Sequence, residues 1–179
     1  MKKEIEIKIL NINPRKLRNT IKKLGGKQIL RPTLLRELYF ESPSGERVYS
    51  SFRLRSEGEK NFLTLKVKRN DKRFEIRDEY EVEVSDFAVT KSILELAGFK
   101  IFRQREKIRE SYCVGTAHIE VDTYPGMRPY AEIESTNKKE IEKFIEKIGF
   151  PLEYATKKTA TEVIRDADLN PDDLVFPKK

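Results

Sequence analysis

The sequence predicts an α+β fold in which an antiparallel β-sheet closes into a barrel and helices pack on its outside. Three observations carry this. Residues 4–9 alternate charge and isoleucine at period two: Glu4, Glu6 and Lys8 fall on one strand face, Ile5, Ile7 and Ile9 on the other. The chain repeats this alternation at least five more times, and the charged faces hold both signs. An alternating strand followed by a helix and a glycine stop recurs at residues 4–26, 76–99 and 130–150. Helices covering the apolar face leave the charged face open or curled into a bore. So many charged strands in one small domain favour the bore.

The elements follow in order. Asn13 caps a helix with Pro14 at its first position; Leu17, Ile21 and Leu24 line one side, and Gly25-Gly26 ends it. Residues 28–41 read as a strand, closed by the turn-rich segment 41–45. Strands over 48–56 and 61–68 flank a turn at 57–60, a hairpin signature. Another strand runs from 74 to 84. Asp86 caps a second helix with Val89, Ile93, Leu96 and Ala97 expected inward and Gly98 at its end. Strands follow near 99–112, 116–123 and 130–135, with a Pro- and Gly-rich loop at 124–129. Asn137 opens a third helix with Ile141, Phe144, Ile145 and Ile148 on one stripe, and residues 157–167 read as a short fourth. The reading gives one domain over residues 1–169 and a Pro-containing tail, 170–179, expected to fray.

Composition narrows the function. The 179 residues suit one domain with a sizeable core. A net charge of +7 favours anionic partners. Cys113 stands alone, which removes any intrachain disulfide and reads as a half-buried strand residue; no apolar run approaches a membrane span, and no signal-peptide core opens the chain. The expected location is the cytoplasm. There is no phosphate-binding Gly-x-x-x-x-Gly-Lys-Ser/Thr loop, no Gly-x-Gly-x-x-Gly and no Cys-x-x-Cys. The single histidine, His118, argues against a zinc cluster or a Ser-His-Asp triad and reads as a strand residue without a ligand role.

The charged faces are the candidates for chemistry. Any one of them is what the wet side of a half-buried strand looks like. Together they would line a bore that is very costly dry and tolerable only if wet, internally paired and occupied by a charged ligand. Arg103, Arg105, Lys107 and Arg109 form a purely basic ladder, and Arg53, Arg55, Lys66, Lys107 and Arg109 form a cationic set suited to phosphate oxygens. Glu4, Glu6, Glu81, Asp122, Glu132 and Glu134 supply hard oxygens of the kind magnesium takes alongside substrate phosphates. A bore with both suits a metal-bound triphosphate.

Glu4-Ile5-Glu6-Ile7-Lys8 resembles the Glu-x-Glu-x-Lys signature of the CYTH superfamily, which includes class IV adenylyl cyclases and thiamine triphosphatases. The further matches come in family order: Tyr39-Phe40, Arg53-Leu54-Arg55, Thr64-Leu65-Lys66, Arg77 to Glu81, Lys107-Ile108-Arg109, Ile119 to Asp122 and Glu132-Ile133-Glu134. Residues 77–134 resemble the cyclase-type branch most. The resemblance implies an eight-stranded triphosphate tunnel. It implies that Lys8, Arg53, Arg55, Lys66, Lys107 and Arg109 hold phosphates, with Lys8, Arg55 and Lys107 as catalytic residues that neutralise them in the transition state. It makes Glu4, Glu6, Glu81, Asp122, Glu132 and Glu134 the metal side, for Mg2+ or Mn2+.

Three positions depart from the family pattern. Arg128, in Gly126-Met127-Arg128-Pro129-Tyr130, is expected to alter the tunnel mouth. Ala160 stands where the family has a tyrosine, so closure is expected through Tyr154 or Lys157. Glu37 replaces an aspartate. The expected function is a metal-dependent enzyme acting on a nucleoside, thiamine or inorganic triphosphate, by phosphohydrolysis or adenylyl cyclisation. The alternative is a non-catalytic nucleotide- or polyphosphate-binding module, which would need the bases but not the acids. With no aromatic platform for single strands, nucleic acid is not the expected partner; a homodimer is left open.

Overall fold

The computed structural model describes residues 2–45, 49–150 and 155–177. Eight antiparallel strands form the barrel: β1 (Lys2–Ile9), β2 (Lys27–Glu41), β3 (Ser51–Glu57), β4 (Lys60–Arg69), β5 (Glu75–Val84), β6 (Lys100–Val114), β7 (Ala117–Thr123) and β8 (Tyr130–Ser135). The order round the wall is β6, β2, β3, β4, β5, β1, β8, β7, and pairing of β7 back onto β6 closes it. Closure removes the open sheet edges that would otherwise invite association. The eight-stranded barrel expected from the sequence is therefore present. Val48 and Tyr154 lie outside the described residues.

Helices α1 (Pro14–Lys23), α2 (Phe87–Leu96) and α3 (Lys138–Lys147) pack on the outside. Each begins where the sequence places its cap. Asn13 Oδ1 accepts from Lys16 N at 3.0 Å, Asp86 Oδ1 from Val89 N at 2.8 Å and Asn137 Oδ1 from Lys139 N at 3.0 Å. Each also ends alike. The amides of Gly26, Phe99 and Phe150 donate back to Ile21, Leu94 and Ile145, the six-to-one bond of a Schellman motif. This needs a left-handed residue just before, and Gly25, Gly98 and Gly149 supply it at φ 75°, 90° and 68°.

The cores lie between barrel and helices. Ile5, Ile7, Ile9, Ile119 and Ile133 bury against Leu17 and Ile21 of α1 and Ile141, Phe144 and Ile145 of α3. Burying each such side chain stabilises by about 1.5–3 kcal/mol. A second layer sets Phe40 and Leu54 against Leu94 of α2. Here the sequence reading needs correcting. Val89, Ile93, Leu96 and Ala97 are exposed, Leu96 at 89%, and Leu94 is the helix's buried residue. The helix carries apolar residues on two sides, and the side opposite Val89, Ile93 and Leu96 docks.

The chain end is the second correction. Helix α4 (Ala160–Asp166) starts at a capping box, Thr159 with Glu162, and a two-residue strand β9 (Ala155–Thr156) precedes it on β1. Among the described residues the tail is docked, not frayed: β10 (Asp173–Leu174) pairs in parallel with Gln104 and Arg105 of β6. Val163, Ile164 and Leu174 pack on Tyr124 and Tyr130 to plug one end of the barrel. No helix among the described residues is long and apolar enough to cross a membrane.

Candidate functional site

Period-two alternation turns one face of every barrel strand inward, and these faces enclose a cavity of about 450 Å3. Ten lysines and arginines and eight glutamates line it. Strand order sorts them by sign. Adjacent strands β5, β1, β8 and β7 carry the lining carboxylates Glu75, Glu79, Glu81, Glu4, Glu6, Glu132, Glu134 and Glu120. Strands β6, β3 and β4, joined through β2, carry eight of the ten bases. Lys8 and Arg77 are the two bases on the acidic wall.

The two walls reach toward each other. Lys8 Nζ contacts Glu6 at 2.5 Å, Glu132 at 3.2 Å and Glu75 at 3.5 Å while being 1% exposed. Lys66 holds Glu4 at 2.7 Å and Glu79 at 3.5 Å. Arg77 meets Glu75 at 2.5 Å and Glu6 at 3.4 Å. Arg109 binds both Asp122 oxygens at 2.6 Å, Glu132 at 3.0 Å, and Glu120. Arg55 lies 3.5 Å from Glu81, whose Oε2 also accepts from Thr64 at 2.8 Å. The bases and acids that the sequence separates into two sets are therefore interleaved as ion pairs.

Burial and charge act against one another on the proton equilibria. Burial pushes Glu6 up, but Lys8, Arg77 and Lys66 outweigh it and hold it well below the usual range. Burial likewise opposes the charge on Lys8 and is overcome by Glu6, Glu132 and Glu75, so Lys8 stays a cation. Glu75 goes the other way. Burial, with Glu6 alongside, lifts it to about 7 against the pull of Arg77 and Lys8. Burial raises Glu120 to about 8 despite Arg109, with Glu132 and Asp122 adding to the rise.

All six proposed phosphate contacts, Lys8, Arg53, Arg55, Lys66, Lys107 and Arg109, line this one cavity. So do Glu4, Glu6, Glu81, Glu132 and Glu134. Asp122 does not. It is fully buried behind Lys107, 2.8 Å away, and Arg109, and both its oxygens accept from them. Glu37 is a buried acid that the sequence marked only as a replacement for aspartate, with no role assigned. It accepts from Arg53 at 2.8 Å and from the Tyr39 hydroxyl at 2.9 Å, 3.7 Å from Lys107. Burial would raise it, but Lys107 and Arg53 hold it far below the usual range. Its signal was weak because Leu35, on the same strand face, is also buried. Glu75, Arg77, Arg105 and Glu120, with Lys68, Glu79 and Arg103, complete the charged lining, and all sat in alternations legible in the sequence or one step beyond them.

Two expectations about the mouth do not hold. Arg128 is exposed and is not among the cavity-lining residues. Its loop belongs to the plugged end, where Tyr124, Met127 and Tyr130 pack. Lys157 donates to the Asp71 carbonyl at 2.9 Å on the exterior, so it does not close the bore. Thr159, Ala160 and Thr161, at the start of α4, line the cavity instead. His118 also lies at the cavity and is exposed.

A divalent cation would need oxygens from the acidic wall. Among the described residues, no three histidine, cysteine or carboxylate groups are gathered to hold a metal ion. The donor chemistry nonetheless fits. Glu6 faces Glu134 directly across the β1–β8 ladder, and Glu4 and Glu132 flank that pair on opposite sides, Glu132 opposite Lys8, so hard carboxylates run along this stretch of wall.

The architecture recurs in known proteins. A Pyrococcus horikoshii structure covers 93% of this chain and 99% of its own, at 25% identity and a TM-score of 0.75. A Hippeastrum structure, provisionally named an adenylyl cyclase and titled for a dominant triphosphatase activity, covers 96% and 98%, at 21% identity and a TM-score of 0.66. A Methanocaldococcus jannaschii protein, provisionally named an adenylate cyclase, is 28% identical over 135 residues, 74% of this chain and 77% of its own. The family model of the CYTH domain matches residues 2–165, the whole stretch that builds the barrel and the start of its plug. A match over nearly all of the chain, on the barrel and bore described above, places this protein in the CYTH family.

Proposed function

We propose that this protein is a divalent-metal-dependent enzyme that binds a triphosphate-containing substrate in the bore and hydrolyses it. One observation carries the reading. The Nε–H groups of Arg53 and Arg55 are buried on the bore wall with no hydrogen-bond partner, Arg55 Nε having only Glu57 at 3.6 Å, beyond hydrogen-bond reach. Leaving such a donor unsatisfied costs about 1–3 kcal/mol, more for a charged group. Phosphate oxygens supply the missing acceptors, and guanidinium groups match their geometry. The names of the M. jannaschii and Hippeastrum proteins point to the same class of substrate.

The roles follow from the walls. Arg53, Arg55, Lys66, Lys107 and Arg109 bind the phosphates from the basic side, with Lys8 opposite. Lys8, Arg55 and Lys107 neutralise charge on the phosphoryl oxygens as it redistributes in the transition state. Asp122 and Glu37, behind the bases, fix Lys107, Arg109 and Arg53 in place. Glu4, Glu6, Glu132 and Glu134, with Glu81 at the rim, would hold Mg2+ or Mn2+. When bound, the metal would polarise phosphate oxygens and lower the pKa of a coordinated water. Glu4 and Glu6 are engaged by Lys66 and Lys8. Phosphates that take over those ammonium groups release the carboxylates to the metal.

The test is product analysis. Incubation with ATP, thiamine triphosphate or inorganic tripolyphosphate, with Mg2+ or Mn2+, should yield orthophosphate. Cyclic AMP with pyrophosphate would replace hydrolysis by cyclisation. Tight metal-independent binding with no turnover would make the protein a binding module. Glu6→Gln should depress metal-dependent turnover more than binding, and Arg55→Ala should depress binding. Equal and negligible effects would remove both residues from the site.

A further inference from the structure

The bore's cations are of two kinds. Lys8, Arg53, Arg55, Lys66, Arg77, Arg103, Lys107 and Arg109 each pair with at least one carboxylate. Arg105 pairs with none among the described residues, although it opens on the cavity and is only 2% exposed. Its Nε donates to the Pro171 carbonyl at 2.6 Å and its Nη2 to the Thr161 hydroxyl at 2.9 Å, and its guanidinium lies 5.5 Å from the centre of the Tyr39 ring. All three partners are neutral. Glu37 is its direct neighbour across the β2–β6 ladder, yet turns its carboxylate to Arg53 and Lys107.

Burying a cation costs several kcal/mol, and neutral acceptors recover only part of that. Anchoring the chain end does not require it. Arg103 already holds Asp172 at 2.7 Å, the Gln104 side chain holds Asp173 at 2.9 Å, and Leu174 is buried. An uncompensated guanidinium facing a polar cavity is poised for an anion. We propose that Arg105 is a further phosphate-binding residue of the bore, taking one phosphate group of the substrate, and that Thr161 and the Pro171 carbonyl position it. This rests on the triphosphate reading. It makes the C-terminal segment, from α4 to β10, part of the substrate site.

The experiment is titration calorimetry with inorganic tripolyphosphate on Arg105→Met, Arg105→Lys, Thr161→Val and Arg55→Ala, alongside thermal melts without ligand. Arg105→Met should lose about tenfold or more in affinity, as expected for lost charge-assisted hydrogen bonds. Arg105→Lys should restore part of that loss, and Thr161→Val should weaken affinity by a smaller factor. The ligand-free melt of Arg105→Met should not fall, since an uncompensated charge leaves with it. If Arg55→Ala weakens binding but Arg105→Met stays within twofold of wild type, the inference is overturned and the triphosphate reading stands. If wild type binds no tripolyphosphate, both fall. Should Arg105→Met fail to fold, Arg105→Lys and Thr161→Val decide: wild-type affinity in both overturns the proposal.

Discussion

Glu37 shows how single side chains hold this bore together. It is 1% exposed and lies behind the basic wall, where Arg53, Lys107 and the Tyr39 hydroxyl converge on it. Glu37→Gln keeps the shape and removes the charge, leaving buried Arg53 without its carboxylate and Lys107 with Asp122 alone. Breaking a buried pair in this way costs about 3–5 kcal/mol. The pH dependence has a definite sign. Burial opposes ionisation of Glu37, yet Lys107 and Arg53 depress its folded pKa, so its contribution is present above the unfolded value of about 4.3 and is lost as pH falls toward the folded one. Glutamine does not titrate. Denaturant unfolding should therefore show a large gap between variant and wild type at pH 7 and a narrower gap at pH 3; a gap independent of pH would mean that Glu37 is not ionised in the fold. Glu37 was hard to recognise because nothing in Leu34-Leu35-Arg36-Glu37-Leu38 alternates cleanly. Glu4 and Glu6 were easy, since isoleucines flank them on a strand with one wet and one dry face.

Strands were more legible than helix faces. A strand has two sides, so period two assigns each residue to bore or exterior. Helix α2 defeats the same logic. Val89, Ile93 and Leu96 form a clean stripe in the sequence, but Phe87 and Leu94 lie on the other side, and these meet Phe40, Phe52, Leu54 and Phe99 on the barrel. The choice between stripes depends on aromatic partners far away in the chain. It has a measurable consequence. Leu94→Ala should cost about 2–5 kcal/mol by emptying space between Phe40 and Leu54. Ile93→Ala, at a position 59% exposed, should stay within about 0.5 kcal/mol. Chemical denaturation of both variants checks this, and the reverse order would restore the outer stripe as the buried one. The chain end was illegible for a different reason. Its docking uses a proline carbonyl, a two-residue parallel strand and one leucine, none of which gives a periodic signal.

At the scale of the whole molecule, closure explains why charge and stability coexist. A closed barrel turns its apolar faces to the helices and its charged faces to one shared interior, where each wall compensates the other. The bore is thus locked by its own ion pairs, and the proposed substrate and metal would have to bind by exchange. Under the proposed function, phosphate would take Lys66 and Lys8 from Glu4 and Glu6, leaving those carboxylates with Arg77 alone until a cation arrives. Either ligand alone leaves one wall uncompensated, so the two should bind with positive coupling, which is reciprocal by thermodynamic necessity. A ligand that binds only the folded state stabilises it by RT ln(1 + [L]/Kd), about 2.7 kcal/mol at a hundredfold excess over Kd. Thermal melts should therefore show a small shift with Mg2+ or Mn2+ alone and a moderate shift with tripolyphosphate alone. Both together should exceed the sum, after correction for metal complexed by free tripolyphosphate. Glu6→Gln should keep the tripolyphosphate shift and lose most of the excess, because the phosphate wall is intact and the metal wall is not. Additive shifts in wild type would mean that the acidic wall holds no metal beside the phosphates.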